Sequence, residues 1–180
     1  MIRHRYNDAR GAGALKSLSS KQKKWLLSFH LLFDGILLGE SVVIVIVSIA
    51  ALSATSREVL QACYLIMNLI ARTGIRASMI GTVLTGILLS VLTRWGLFRY
   101  YWIMVKEGLT LLSIGIGVIG FYVWSFRGLT MISAEGLEAL HNPVFQVNTA
   151  ALWTGIALQI MSLAGMTVIS VFKPWGSRGH

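Results

Sequence analysis

The stretch WLLSFHLLFDGILLGESVVIVIVSIAAL, Trp25 to Leu52, decides how this chain is read. It is longer than the ~20 apolar residues that carry an α-helix across a hydrocarbon core of about 30 Å. Three ionisable groups, His30, Asp34 and Glu40, interrupt it. Each costs about 3 kcal/mol on insertion scales when placed deep in a bilayer, so three on one helix require partners, water or a ligand. The rest of the chain has to supply them.

Composition sets the class. Of 180 residues, 55% are hydrophobic and only 13% charged, with a mean hydropathy of +0.70. Soluble domains carry about a quarter charged residues, so this is an integral membrane protein whose first partner is the lipid bilayer. The net charge of +9 does not point to nucleic acid, because the basic residues sit at the ends of apolar runs and form no patch interleaved with aromatic platforms. A single cysteine, Cys63, excludes an intramolecular disulfide and a cysteine-only metal site.

An all-α, four-helix transmembrane bundle is expected. Residues 1–24 form a basic cytoplasmic tail, 25–172 the transmembrane domain and 173–180 a cytoplasmic C-terminal tail. The helices run over about 25–52, 59–93, 100–126 and 147–172, and 127–146 forms an external loop with a short turn over Leu137 to Leu140. Arg72 and Arg76 leave open whether 59–76 lie in the membrane or extend beyond it. Eleven Lys and Arg fall on the side of the two tails and two, Arg57 and Arg127, on the other. By the positive-inside rule both termini are cytoplasmic, in a bacterial inner membrane.

At 100° per residue, polar and small groups gather on one face of each helix. On the first, His30, Asp34, Leu37 and Ser41 align; on the third, Trp102, Lys106, Thr110, Ser113, Gly117, Gly120 and Trp124; on the fourth, Asn148, Gly155, Gln159, Ser162, Met166 and Ser170. The second gives a looser stripe of Arg72, Arg76, Gly86 and Ser90. At 1.5 Å per residue, His30, Asp34, Lys106 and Met166 come out near one level on the cytoplasmic side, and Glu40 and Arg76 share a level farther out. Two buried ion pairs are expected, Asp34 with Lys106 and Glu40 with Arg76. His30 either fixes helix packing beside the first pair or binds haem or a metal ion, with Lys106 holding a propionate or other anion and Met166 as a second axial ligand. A proton or ion path is a third use for such groups. Gly35 and Gly39, a G-x-x-x-G on the opposite face, are expected to let another helix approach, within the bundle, in a homo-oligomer or in a membrane complex. No Walker loop, G-x-S-x-G, G-x-G-x-x-G or H-E-x-x-H is present, which removes nucleotide-driven, hydrolase and Rossmann readings.

Three short motifs carry a resemblance: Trp25 to Phe33 around His30, Leu84 to Thr93, and Tyr101 to Lys106. Together they resemble a bacterial group of small integral membrane proteins of unknown function, related in pattern to copper-resistance protein D and to HemJ-type protoporphyrinogen oxidase. The resemblance implies haem binding at His30 and a functional role for Trp102 and Lys106. Phe33-Asp34-Gly35 stands where the oxidase has W-x-G. The expectation carried forward is a membrane protein with a buried polar site in its cytoplasmic half that binds haem or a metal ion. Its alternatives are an accessory subunit with no chemistry and an enzyme of porphyrinogen oxidation.

Overall fold

A computed structural model describes residues 18–92 and 100–175; the basic residues Arg3 to Lys16, Arg94, Arg99 and Arg178 lie outside it. The described residues are helical with no strand, and four helices are long and apolar enough to cross a membrane. The first span is α1, Ser20–Leu52. It begins five residues ahead of the apolar run because Ser19 and Gln22 form a reciprocal capping box, Gln22 N donating to Ser19 Oγ at 3.3 Å and Ser19 N to Gln22 Oε1 at 2.9 Å. That cap lets Lys21, Lys23 and Lys24 form the first turns. The inward stripe of α1 is Leu37, Ser41, Ile44, Ser48 and Ala51, spaced alternately by four and three, as a narrow helix-packing seam requires. Ile36, Val42, Val43, Ile46 and Ile49 face outward, where lipid accommodates them.

The second span consists of α2, Arg57–Arg72, and α3, Gly74–Leu92, joined at Thr73. Ser56 caps α2 by accepting from Val59 N at 3.3 Å. Residues 59–76 therefore belong to a helical unit of 36 residues. At 1.5 Å per residue it is about 54 Å long, and it outruns a hydrocarbon core of about 30 Å.

The third span differs from expectation. It consists of α4, Tyr101–Ile114, a π-helical turn, Gly115–Gly120, and α5, Phe121–Glu135. It continues past Phe126 because α5 runs along α2. Asn68 Nδ2 donates to Ser125 Oγ at 3.1 Å, Gln61 Nε2 to Ser133 Oγ at 3.4 Å and Arg57 to the Ser133 carbonyl at 2.6 Å. Amphipathic α2 thus offers polar partners to a segment too polar to be read as a span. The expected loop 127–146 shrinks to a 3-10 turn, Gly136–His141, and Asn142. The last span, α6, Pro143–Phe172, starts four residues ahead of Val147 because Asn142 Oδ1 accepts from Val144 N at 2.9 Å and Pro143 fits the first helical position.

Around the ring, α1 packs on α2 and α3, α2 on α5, α4 and α5 on α6, and α6 closes on α1. This up-and-down arrangement places Ser20, Leu92, Tyr101 and Phe172 at one end, the tail end, and both short connections at the other, the loop end. Ile44, Leu60, Met67, Ile75, Phe121, Ile132 and Leu152 fill the core.

Candidate functional site

The tail half of the bundle holds His30, Asp34 and Lys106. His30 on α1 turns toward α3, where its Nδ1 lies 3.1 Å from the Thr82 carbonyl and 2.9 Å from Thr85 Oγ1. The Thr85 hydroxyl donates to the Gly81 carbonyl at 2.6 Å and the Thr82 carbonyl at 3.1 Å. A carbonyl only accepts and the threonine proton is already engaged, so Nδ1 carries the hydrogen. Neutral His30 then presents a lone pair at Nε2. That nitrogen faces Asp34 Oδ2 at 3.6 Å, one helical turn along α1. The His30 side chain is 12% exposed and that of Asp34 30%, so the pair is reached from outside through Asp34.

Lys106 is held differently from expectation. Its Nζ donates to Ser170 Oγ at 2.7 Å, and Ser170 donates to the Met166 carbonyl at 2.7 Å. The carboxylate of Asp34 pairs with His30 and forms no ion pair with Lys106. The ring order explains this: α1 and the third span stand diagonally, and Lys106 lies on the seam with α6. The Met166 sulfur receives the Thr110 hydroxyl at 3.3 Å. Trp102 is buried one turn before Lys106, its ring 6.1 Å from that of Tyr100.

The expected pair of Glu40 and Arg76 does not form. Glu40 Oε2 receives the Ser78 hydroxyl at 2.8 Å, and its carboxyl lies against Gly74, where a Cβ would collide with it. Gly74 and Ser78, four residues apart, share the face of α3 that meets α1. Arg76 lies about 200° around the helix from either. Its guanidinium sits over the Tyr122 ring, 4.9 Å from the centroid. Glu40 thus meets α3 at residues that flank Arg76 in sequence but on another face of the helix. Gly35 and Gly39 likewise approach no helix among the described residues: both are exposed, with nothing within 4 Å of a Cβ built on either.

Sequence reasoning missed the polar face of α3, where Ser78, Thr82 and Thr85 align with Ile75, Met79 and Leu89. Their spacing of four and three was the available signal, obscured by the two arginines. At the chemical level the site offers an imidazole of fixed tautomer, a carboxylate and an ammonium, which suits proton exchange. No group of three metal-ligating side chains occurs among the described residues. A single ligand bond through Nε2 does fit, since metal-binding histidines usually donate their other ring N–H to a carbonyl or carboxylate, as Nδ1 does to Thr82. Comparison with protein-family models, curated proteins and solved structures finds no match.

Proposed function

We propose that this is a multi-pass protein of a bacterial inner membrane, with its tail end cytoplasmic, that takes up and releases a proton at His30 and Asp34 beside Lys106. One observation carries this reading: Nδ1 is fixed by the Thr82 carbonyl, so Nε2 is turned to a carboxylate within a membrane-spanning helix. Ionisable groups within spans belong to proton relays more often than to lipid-facing structure. Lys21, Lys23 and Lys24 at the tail end, together with the bias of the whole chain, support the orientation. The test is proton flux into vesicles containing the purified protein and a pH-sensitive dye, driven by a potassium diffusion potential. His30→Ala abolishes the flux while helical content is retained; flux at the unaltered rate in that variant refutes the reading.

The same tautomer supports a second reading, in which Nε2 ligates a metal ion, haem iron first, with Asp34 turned aside. A bound haem would supply an electron acceptor. Here the purified protein shows a Soret band that His30→Ala removes, and a colourless protein refutes haem binding.

A further inference from the structure

The seam between the third span and α6 keeps one antiparallel register. Lys106 meets Ser170, Thr110 meets Met166, and Gly117 meets Gln159, whose Nε2 is 3.4 Å from the position of a Cβ on Gly117. Ser113 falls between the last two levels. Gln159 and Ser113 are both 0% exposed, yet neither amide atom of Gln159 nor the Ser113 hydroxyl has a protein partner. Other hydroxyls on the third span behave differently: Thr110 and Ser125 each donate to the carbonyl four residues back. A buried amide or hydroxyl at membrane depth is costly unless hydrogen-bonded, and lipid cannot supply the bond.

The unpartnered atoms restrict what can. Gln159 Nε2 needs an acceptor, Oε1 needs a donor, and the Ser113 hydroxyl takes either. A cation would satisfy Oε1 and the hydroxyl but not Nε2, an anion Nε2 and the hydroxyl but not Oε1, and an apolar ligand none of them. A small neutral molecule that both donates and accepts satisfies all three, and water is the smallest. The glycine at 117 keeps a side chain out of the space beside the amide. It lies in the π-helical turn, a geometry that recurs at functional sites.

We propose that Gln159 and Ser113 bind internal water and that the seam from Lys106 to Gln159 is an aqueous crevice reaching into the bundle. The crevice exists whether or not His30 exchanges protons. The test uses the full chain in liposomes with Cys63→Ala as background and 2-aminoethyl methanethiosulfonate as probe. A thiol reacts as its thiolate, which forms in water and not in hydrocarbon, so Ser113→Cys is modified at least about tenfold faster than Met161→Cys. Met161 is 61% exposed on the outer face of α6. An equal or slower rate at Ser113→Cys overturns the proposal. Should Ser113→Cys fail to fold, radiolytic hydroxyl-radical labelling of the unaltered protein decides. Met79, its Cε 3.6 Å from the Gly117 Cβ position, is oxidised several-fold faster than Met67, which is buried against Ser48. Equal labelling of these two buried methionines overturns the crevice.

Discussion

Replacing Gly74 with alanine is expected to have opposite effects on stability depending on the residue at position 40. A Cβ on Gly74 meets Glu40 Oε1 and lies 2.9 Å from Glu40 Cδ. The methyl is therefore seated only if the carboxyl swings away, which breaks its 2.8 Å bond from Ser78. Glycine to alanine within a helix contributes about 1 kcal/mol of stability. Against this stand an interhelical hydrogen bond worth about 0.6 to 1.7 kcal/mol in a membrane and an off-rotamer glutamate costing about 0.5 to 1.5 kcal/mol. These terms make Gly74→Ala destabilising by about 1 kcal/mol. In a Glu40→Ala background the collision and the bond are both gone, and Ser78 still donates to the Gly74 carbonyl at 2.9 Å. There the same substitution stabilises by about 1 kcal/mol. Equilibrium unfolding in mixed micelles with increasing dodecyl sulfate, followed by far-ultraviolet circular dichroism, measures both. An effect of the same sign and size in the two backgrounds would refute the placement of Glu40 against Gly74.

Further substitutions probe the other contacts. Gly128→Ala places a methyl on the ring of Tyr64, itself 2% exposed and 5.5 Å from the Phe145 ring, so overpacking should cost about 1–3 kcal/mol in the same unfolding assay. Tyr122→Leu removes the ring beneath Arg76 and should cost about 1–2 kcal/mol, whereas Tyr122→Phe, which keeps the ring, should cost far less; equal losses would exclude the cation–π contact. Thr85→Val deletes the hydroxyl 2.9 Å from His30 Nδ1 but leaves the Thr82 carbonyl, so proton flux should persist at a reduced rate. Complete loss would show that the hydroxyl, and not the carbonyl, sets the tautomer.

The spans were legible because lipid imposes a strong rule: some twenty apolar residues in succession have few other uses. Their inward faces were legible where the helix is regular. Leu37 and Ser41 on α1, and Gln159, Ser162 and Met166 on α6, are buried as a 100° step predicts. On the third span the step holds through Gly117 and Gly120, both buried, and fails beyond them. The π-helical turn inserts a residue, so the buried face passes to Phe121, Ser125, Gly128 and Ile132 and leaves Trp124 only partly covered. Partners across the bundle were harder still. Opposite charges at one depth invite pairing, but helix rotation and ring order decide which groups meet. Glu40 found Ser78, Lys106 found Ser170, and Arg76 found an aromatic ring, none of which a single-helix wheel contains. The helical course of 127–135 was hidden for a related reason: its polar residues are matched by polar residues of α2, 76 and 72 positions away in sequence.

The turn at Gly115–Gly120 also governs which changes in chain length the fold tolerates. A π turn holds one residue more than the α-helix on either side of it. Deleting a lipid-facing residue there, such as Ile119 at 60% exposure, converts the turn to ordinary helix while α4 and α5 keep their neighbours. The same deletion in the middle of α1 or α6 rotates everything beyond it by about 100° and carries Ser48 or Gln159 from seam to lipid. Among the described residues, the third span is where this sequence can lose a residue and still close its ring.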